Sequence, residues 1–154
     1  MAADASPGRR EPPPRALFPR FVPIATRWAD NDAYGHLNNV VYYALFDTAV
    51  NALLIEAKLL DPATSPVIGL VVESSCSFFA SLAYPDPVDI GVAIEEIGRS
   101  SVRYHFAAFG PGAKTAAAAG RYTHVYVDRA TNRPVPIPDG HRRLMETLLI
   151  APDE

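Results

Sequence analysis

A single cysteine, no excess of basic charge and no long apolar run are the first features of this sequence, and each excludes something. With Cys76 alone, no internal disulfide can form and nothing marks an oxidising compartment. Cys76 lies among Ser74, Ser75, Ser77 and Phe78 with no adjacent base to activate it, so it reads as a packed thiol rather than a nucleophile. The 14 Lys and Arg against 17 Asp and Glu leave a net charge of -3. That removes the attraction behind non-specific binding to phosphate backbones and argues against a nucleic-acid partner. No stretch is long and apolar enough to cross a bilayer, and no hydrophobic signal core follows the N-terminus. The expectation is a cytoplasmic protein with no membrane partner.

What is present is enough for one domain. The chain has 154 residues, 49% of them hydrophobic and 20% charged, the proportions of a folding globular sequence. Residues 1–19 mix Arg9, Arg10 and Arg15 with the run Pro12 to Pro14 and hold little apolar content. They read as a flexible leader that adds nothing to the core, leaving the domain to residues 20–150.

Within that domain the hydrophobic period changes once. FVPIATR, from Phe21, has strand composition, and Pro23 places it at a sheet edge or an early bulge. ADNDAYGHLNN follows, dense in the residues of tight turns and helix caps. Val40 to Leu60 then reads as a helix of about four or five turns, capped by Asn38 or Asn39. Apolar residues cover so much of its circumference that burial on several sides is expected. Four further segments carry strand patterns: Val67 to Ala80, Val88 to Ile94, Val102 to Phe106 and Ala116 to Val127. Short loops rich in glycine and proline favour antiparallel neighbours, and His141 to Leu149 reads as a short helix capped by Asp139. This is an α+β domain with a curved antiparallel sheet wrapped around one long central helix.

The stretch TRWADNDAYGHLNNVVYYALF carries a resemblance. Asp30, Asp32, Gly35, His36, Asn38, Asn39 and Tyr42 fall at the spacing of the signature of the 4-hydroxybenzoyl-CoA thioesterase-like family, which is related to the acyl-ACP thioesterases. The resemblance implies a hotdog fold and hydrolysis of an acyl-CoA or acyl-ACP thioester. It implies no cofactor beyond the CoA of the substrate, and a homodimer or homotetramer whose protomers share sheet edges and site. Arg99, Ser100 and Ser101 are similar to the family's basic turn near CoA.

The chemistry needs little. A thiol of pKa near roughly 8.5 leaves readily at neutral pH, so one carboxylate can suffice. Asp32 is expected to act as general base on water or as nucleophile. Backbone amides near Asn38 and Asn39, at the positive end of the helix, would hold the oxyanion, an effect of about two to four kcal/mol per donor. Gly35 lets the backbone approach closely. His36 either orients Asp32, polarises the carbonyl or holds the loop. Asp30 reads as a partner of Arg27 or a loop cap. Tyr34 and Tyr42 line an acyl pocket or pack, with core the commoner fate of such aromatics.

Two rivals share the fold. A hydratase or dehydratase would usually place His five residues after Asp with Asn-Pro between, whereas Asp32 and His36 are four apart with no proline. A binder of acyl-CoA without turnover has no use for the Asp-x-Asp pair. A metal site from Asp30, Asp32 and His36 lacks a further ligand at clear spacing, and no metal is expected.

Overall fold

The computed structural model describes residues 10–151. Five strands, β1 (Arg20–Ile24), β2 (Val67–Phe78), β3 (Val88–Ile97), β4 (Ser101–Phe109) and β5 (Ala118–Asp128), form one sheet in the order β1-β3-β4-β5-β2, and every neighbouring pair is antiparallel. Helix α1 (Asn39–Glu56) lies between β1 and β2 in sequence, so the chain leaves one edge of the sheet, runs through the helix and returns at the opposite edge. A short helix α2 (Asp139–Leu148) packs by β3. A sheet curved around one central helix is the hotdog fold. Pro23 sits on β1, an edge strand, where its missing N–H interrupts no second ladder.

The centre of the core is where α1 meets β4 and β5. Phe46 stacks on Phe106 with ring centroids 5.2 Å apart and meets the edge of Tyr122. Gly120 makes room for it: a Cβ there would lie 2.8 Å from the Phe46 ring and would also strike the Ser75 carbonyl. Tyr122 donates its hydroxyl to the Tyr43 carbonyl, tying strand to helix.

α1 ends at Glu56, four residues earlier than the apolar pattern suggests. Lys58 takes φ 59°, Leu59 N–H donates to Leu54 O and Lys58 N–H to Ile55 O. This is a left-handed C-terminal cap, built without the glycine that normally announces one. At α2 the N-cap is Pro138, with Asp139 inside the first turn and no side-chain cap.

Burial of α1 on several sides is not what the single chain shows. Tyr42, Leu45, Phe46, Ala49, Val50, Leu53 and Leu54 form one buried stripe. Val40 and Ile55 are exposed, and Val41 and Ala52 are only half-buried. The sheet covers one face of the helix, and β2 at the edge is exposed along most of its length.

The leader requires a correction. Residues 1–9 lie outside the described residues, but the segment 13–18 is fastened to the outer face of the sheet through Pro13, Arg15 and Phe18. Arg15 donates to the Ala113 carbonyl and pairs with Asp89 at 3.1 Å, Pro14 bridges Thr115, and Arg15 lies over the rings of Phe21 and Phe109. Phe18 is buried in a second apolar cluster with Ala93, Ala107, Phe109, Ala116 and Ala119. Gly91 leaves its space open, since a Cβ there would sit 2.7 Å from the Phe18 ring. The small side chains of this face form a shallow seat that one aromatic fills. Phe18→Ala is expected to cost about 3 kcal/mol in urea unfolding; an unchanged midpoint would mean the segment contributes nothing to the core.

Candidate active site

The Asp-x-Asp segment folds into a closed turn at the N-terminus of α1. Asp32 N–H donates to His36 O at 2.7 Å, Gly35 N–H to Asp32 O at 3.1 Å, and Asn31 bridges Leu37. Asn38 N–H donates to Asp30 O, Leu37 N–H to Leu82 O, and Tyr84 N–H to Asn31 Oδ1, so the turn is fastened both to the helix cap and to the end of the sheet. The contribution of Asn31 had no signal in the sequence, because its partner lies 53 residues away.

The two aspartates do different work. Asp30 is 4% exposed and is surrounded by Arg27, which donates from its backbone N–H at 2.8 Å, Nε at 3.1 Å and Nη2 at 2.8 Å. Asp30 is a structural anchor, as its pairing with Arg27 suggests. Asp32 is half-buried. Its Oδ1 accepts from Tyr34 N–H at 2.8 Å and His36 N–H at 3.4 Å. Among the described residues Oδ2 accepts no protein hydrogen bond, so the carboxylate is oriented through one oxygen and available through the other.

The amides at the head of α1 are not equivalent. Asn38 is the N-cap: its Oδ1 accepts from Val40 N–H at 3.0 Å, and its carbonyl accepts from Val41 N–H. Its own N–H is consumed by Asp30 O. Among the described residues this leaves the Asn39 N–H, at the positive end of the helix, without a protein acceptor.

Three further residues of the motif have distinct places. Gly35 has φ 81°, and a Cβ added to it would meet nothing within 4 Å, so within the chain it serves the left-handed turn. Tyr42 belongs to the core, edge-on to Phe78 at 5.2 Å, and burial raises its hydroxyl pKa. Tyr34 is 86% exposed and lines nothing within one chain. The side chain of His36 is exposed, while its backbone closes the turn. Arg99, Ser100 and Ser101 form the β3–β4 turn, held by Ile137 N–H to Arg99 O, Tyr126 N–H to Ser100 O and Arg142 to Gly98 O. That turn lies at the far end of β3 from the Asp32 turn, roughly 30 Å away at the rise of a strand. One chain does not bring the two together.

Other groups are chemically quiet. Burial pushes the Cys76 thiol up to about 11, which keeps it protonated. Among the described residues no three His, Cys, Asp or Glu side chains gather as a metal site, and no helix is long and apolar enough to cross a membrane. A cavity of about 730 Å³ is on the outer face of the sheet between the Arg10 to Leu17 segment and Arg121, and Asp32 does not line it.

Both the fold and the fastened Asp-x-Asp turn define a class, and comparison identifies it. The thioesterase-like superfamily matches residues 26–145, and the chain belongs to that superfamily. Among solved structures it is similar to the PA5185 protein of Pseudomonas aeruginosa, with 48% identity over 93% of this chain and 100% of that one, and a TM-score of 0.90. A thioesterase of Thermus thermophilus, solved with coenzyme A and Zn, is 26% identical over 86% of this chain and 95% of its own, with a TM-score of 0.70. The gentisyl-coenzyme A thioesterase BH1999 shares the fold at 24% identity, over 82% and 99% of the two chains, with a TM-score of 0.71. No curated protein matches the chain.

The Asp30 anchor has a measurable signature. Burial alone would raise its pKa, but the Arg27 hydrogen bonds and charge outweigh this and hold it below the ordinary 3.8. A carboxyl whose folded pKa is depressed stabilises the fold above its unfolded pKa, and that contribution is lost as pH falls through the folded value. Asp30→Asn is therefore expected to cost about 2 kcal/mol at neutral pH, with the gap to the parent closing on acidification below about pH 4. A gap constant with pH would show that the charge of Asp30 is not what holds the turn.

Proposed function

We propose that the protein hydrolyses acyl-CoA thioesters, with Asp32 acting on the carbonyl and the Asn39 amide receiving the developing oxyanion. Thioester hydrolysis is the activity class of its superfamily. The observation that supports these roles is the turn itself, in which backbone amides fix Asp32 Oδ1 and leave Oδ2 accessible beside a helix N-terminus with one uncommitted N–H. As general base, Oδ2 takes a proton from water as the water oxygen bonds to the carbonyl carbon. As nucleophile, Oδ2 forms an anhydride that water then opens. In either route the C–S bond breaks and the CoA thiolate departs, needing no strong acid. Acyl carrier protein is the alternative carrier.

The working form we propose is a homodimer joined at β2, or a homotetramer made of two such dimers. That strand is a twelve-residue edge whose Leu70, Val71, Val72 and Phe78 are exposed, and long apolar edges are templates for pairing. Antiparallel pairing about a two-fold axis sets the start of one β2 beside the end of the other. The Arg99 turn lies toward the start of β2 in the sheet and the Asp32 turn toward its end, through Val71 opposite His124, Ser101 opposite Val125, and Tyr42 against Phe78. The partner's Arg99 is thereby delivered to the end of the sheet that carries Asp32, where a guanidinium suits the phosphates of CoA.

Asp32→Asn is expected to lower kcat at least about a hundredfold while acyl-CoA binding and melting temperature hold; full turnover in that variant would eliminate the role. In light scattering the chain should run as two copies or a multiple of two. A monomer with undiminished activity would dispose of the shared site.

A further inference from the structure

The interior holds a small cavity of mixed lining, with Leu54, Leu60, Val67 and Ile68 beside its polar groups, that the chemistry at Asp32 does not use. It measures about 50 Å³ and lies between the C-terminal half of α1, the start of β2, β5 and α2, lined by Asn51, Gly69, His124, Tyr126 and His141 among others. Three of those residues carry buried atoms with no hydrogen-bond partner: His124 Nε2, Tyr126 Oη and His141 Nδ1. His124 is 4% exposed and Tyr126 1%. Tyr126 Oη neighbours the Tyr104 hydroxyl without reaching hydrogen-bond geometry, and the His141 ring lies by the Leu59 backbone. Buried polar atoms are nearly always satisfied, so three around one cavity call for a guest.

The lining states what that guest is. No charged side chain borders the cavity. Burial lowers the His124 pKa to about 4, so at neutral pH its imidazole offers one donor and one acceptor and no charge. A carboxylate or ammonium would enter without compensation, whereas a hydroxyl or carbonyl oxygen would find partners. The volume admits a few heavy atoms, the end of a molecule rather than the whole of one. Access is from the β2 side: Gly69 is exposed, and a Cβ there would crowd Tyr126 Cζ at 3.3 Å and His124 Nδ1 at 3.4 Å. In the β2-paired dimer this mouth, at the start of the strand, lies beside the Asp32 end of the other protomer.

We propose that the cavity at Asn51, Gly69, His124, Tyr126 and His141 receives the uncharged, oxygen-bearing end of the acyl group and so selects hydroxylated or keto acids over plain ones. This rests on the thioesterase reading above. Binding there makes and breaks no covalent bond; it places an oxygen against groups that otherwise have no partner, and an acyl end of pure hydrocarbon would leave them unpaired.

The test is a ratio. Straight-chain acyl-CoA esters are assayed in matched pairs, with and without a hydroxyl remote from the thioester, over a graded series of lengths. The wild-type protein is expected to favour the hydroxylated member of the best pair by about tenfold in kcat/KM, and Tyr126→Phe, which removes one hydroxyl and keeps the ring, to cut that preference about threefold or more. His124→Phe should cut it further. If that variant does not fold, the Tyr126→Phe ratio decides alone. A ratio near one in the wild type, or one unmoved by Tyr126→Phe, would overturn the cavity's role and leave thioester hydrolysis standing, as would a cavity filled only by water. Absence of hydrolysis on both members of every pair would bring down the thioesterase reading and this one together.

Discussion

The seating of Phe46 on the sheet is the contact on which the rest of the structure depends. A residue 0% exposed, stacked on Phe106 and crossing the strand at Gly120, fixes both the depth and the rotation of α1. The Tyr122 hydroxyl on the Tyr43 carbonyl adds a directional lock one turn from the helix start. The Asp32 turn has no apolar anchor of comparable size except Leu37, and takes its position by hydrogen bonds to the helix cap and to Leu82 and Tyr84. A shift of Phe46 would therefore be transmitted to Asp32 and Asn39 through backbone that has little freedom to absorb it.

Much of the fold was legible because its signals are periodic. The alternation of Tyr122, His124 and Tyr126 with Arg121 and Thr123 matches their burial along β5, and the apolar run from Val40 yields one long helix. What was not legible depends on partners distant in sequence. Phe18 is a lone aromatic in a stretch of proline and arginine, and only a seat of alanines from three separate segments with Gly91 makes it core. The end of α1 at Lys58 relies on a left-handed residue that is neither glycine nor asparagine. The site was legible as a motif but not as a division of labour. Nothing in the string separates Asn38, whose amide Asp30 consumes, from Asn39, whose amide is uncommitted. Spacing likewise says nothing of the sheet length that keeps Arg99 from Asp32.

Three exposed features bear on the dimer. Val40 and Ile55 stand uncovered on α1, β2 presents an unpaired edge, and the aromatics Trp28 and Tyr34, 80% and 86% exposed, flank the Asp32 turn. In the proposed dimer the β2 edge becomes interface and the Asp32 turn comes to lie beside the partner. Its effect on the chemistry is electrostatic: a carboxylate and an amide facing bulk water act through a high dielectric, and covering them strengthens every charge interaction at the carbonyl.

Burial also sorts the polar groups by charge. The charged candidates, Asp32 and Arg99, stand at the rim. Apart from Asp30 with its Arg27 partner, the interior groups around the small cavity are neutral, because desolvation lowers His124 and His141 and raises Tyr126, disfavouring the charged form of each. A thioester presents the same division, with its reacting carbonyl and anionic carrier at one end and an uncharged acyl tail at the other. A site with charge outside and neutral hydrogen-bonding groups inside can bind that molecule in one direction only, since the reverse would drive phosphates into a cavity that offers them no cation. Orientation then follows from where the fold tolerates charge, before any specific contact with the acid is made.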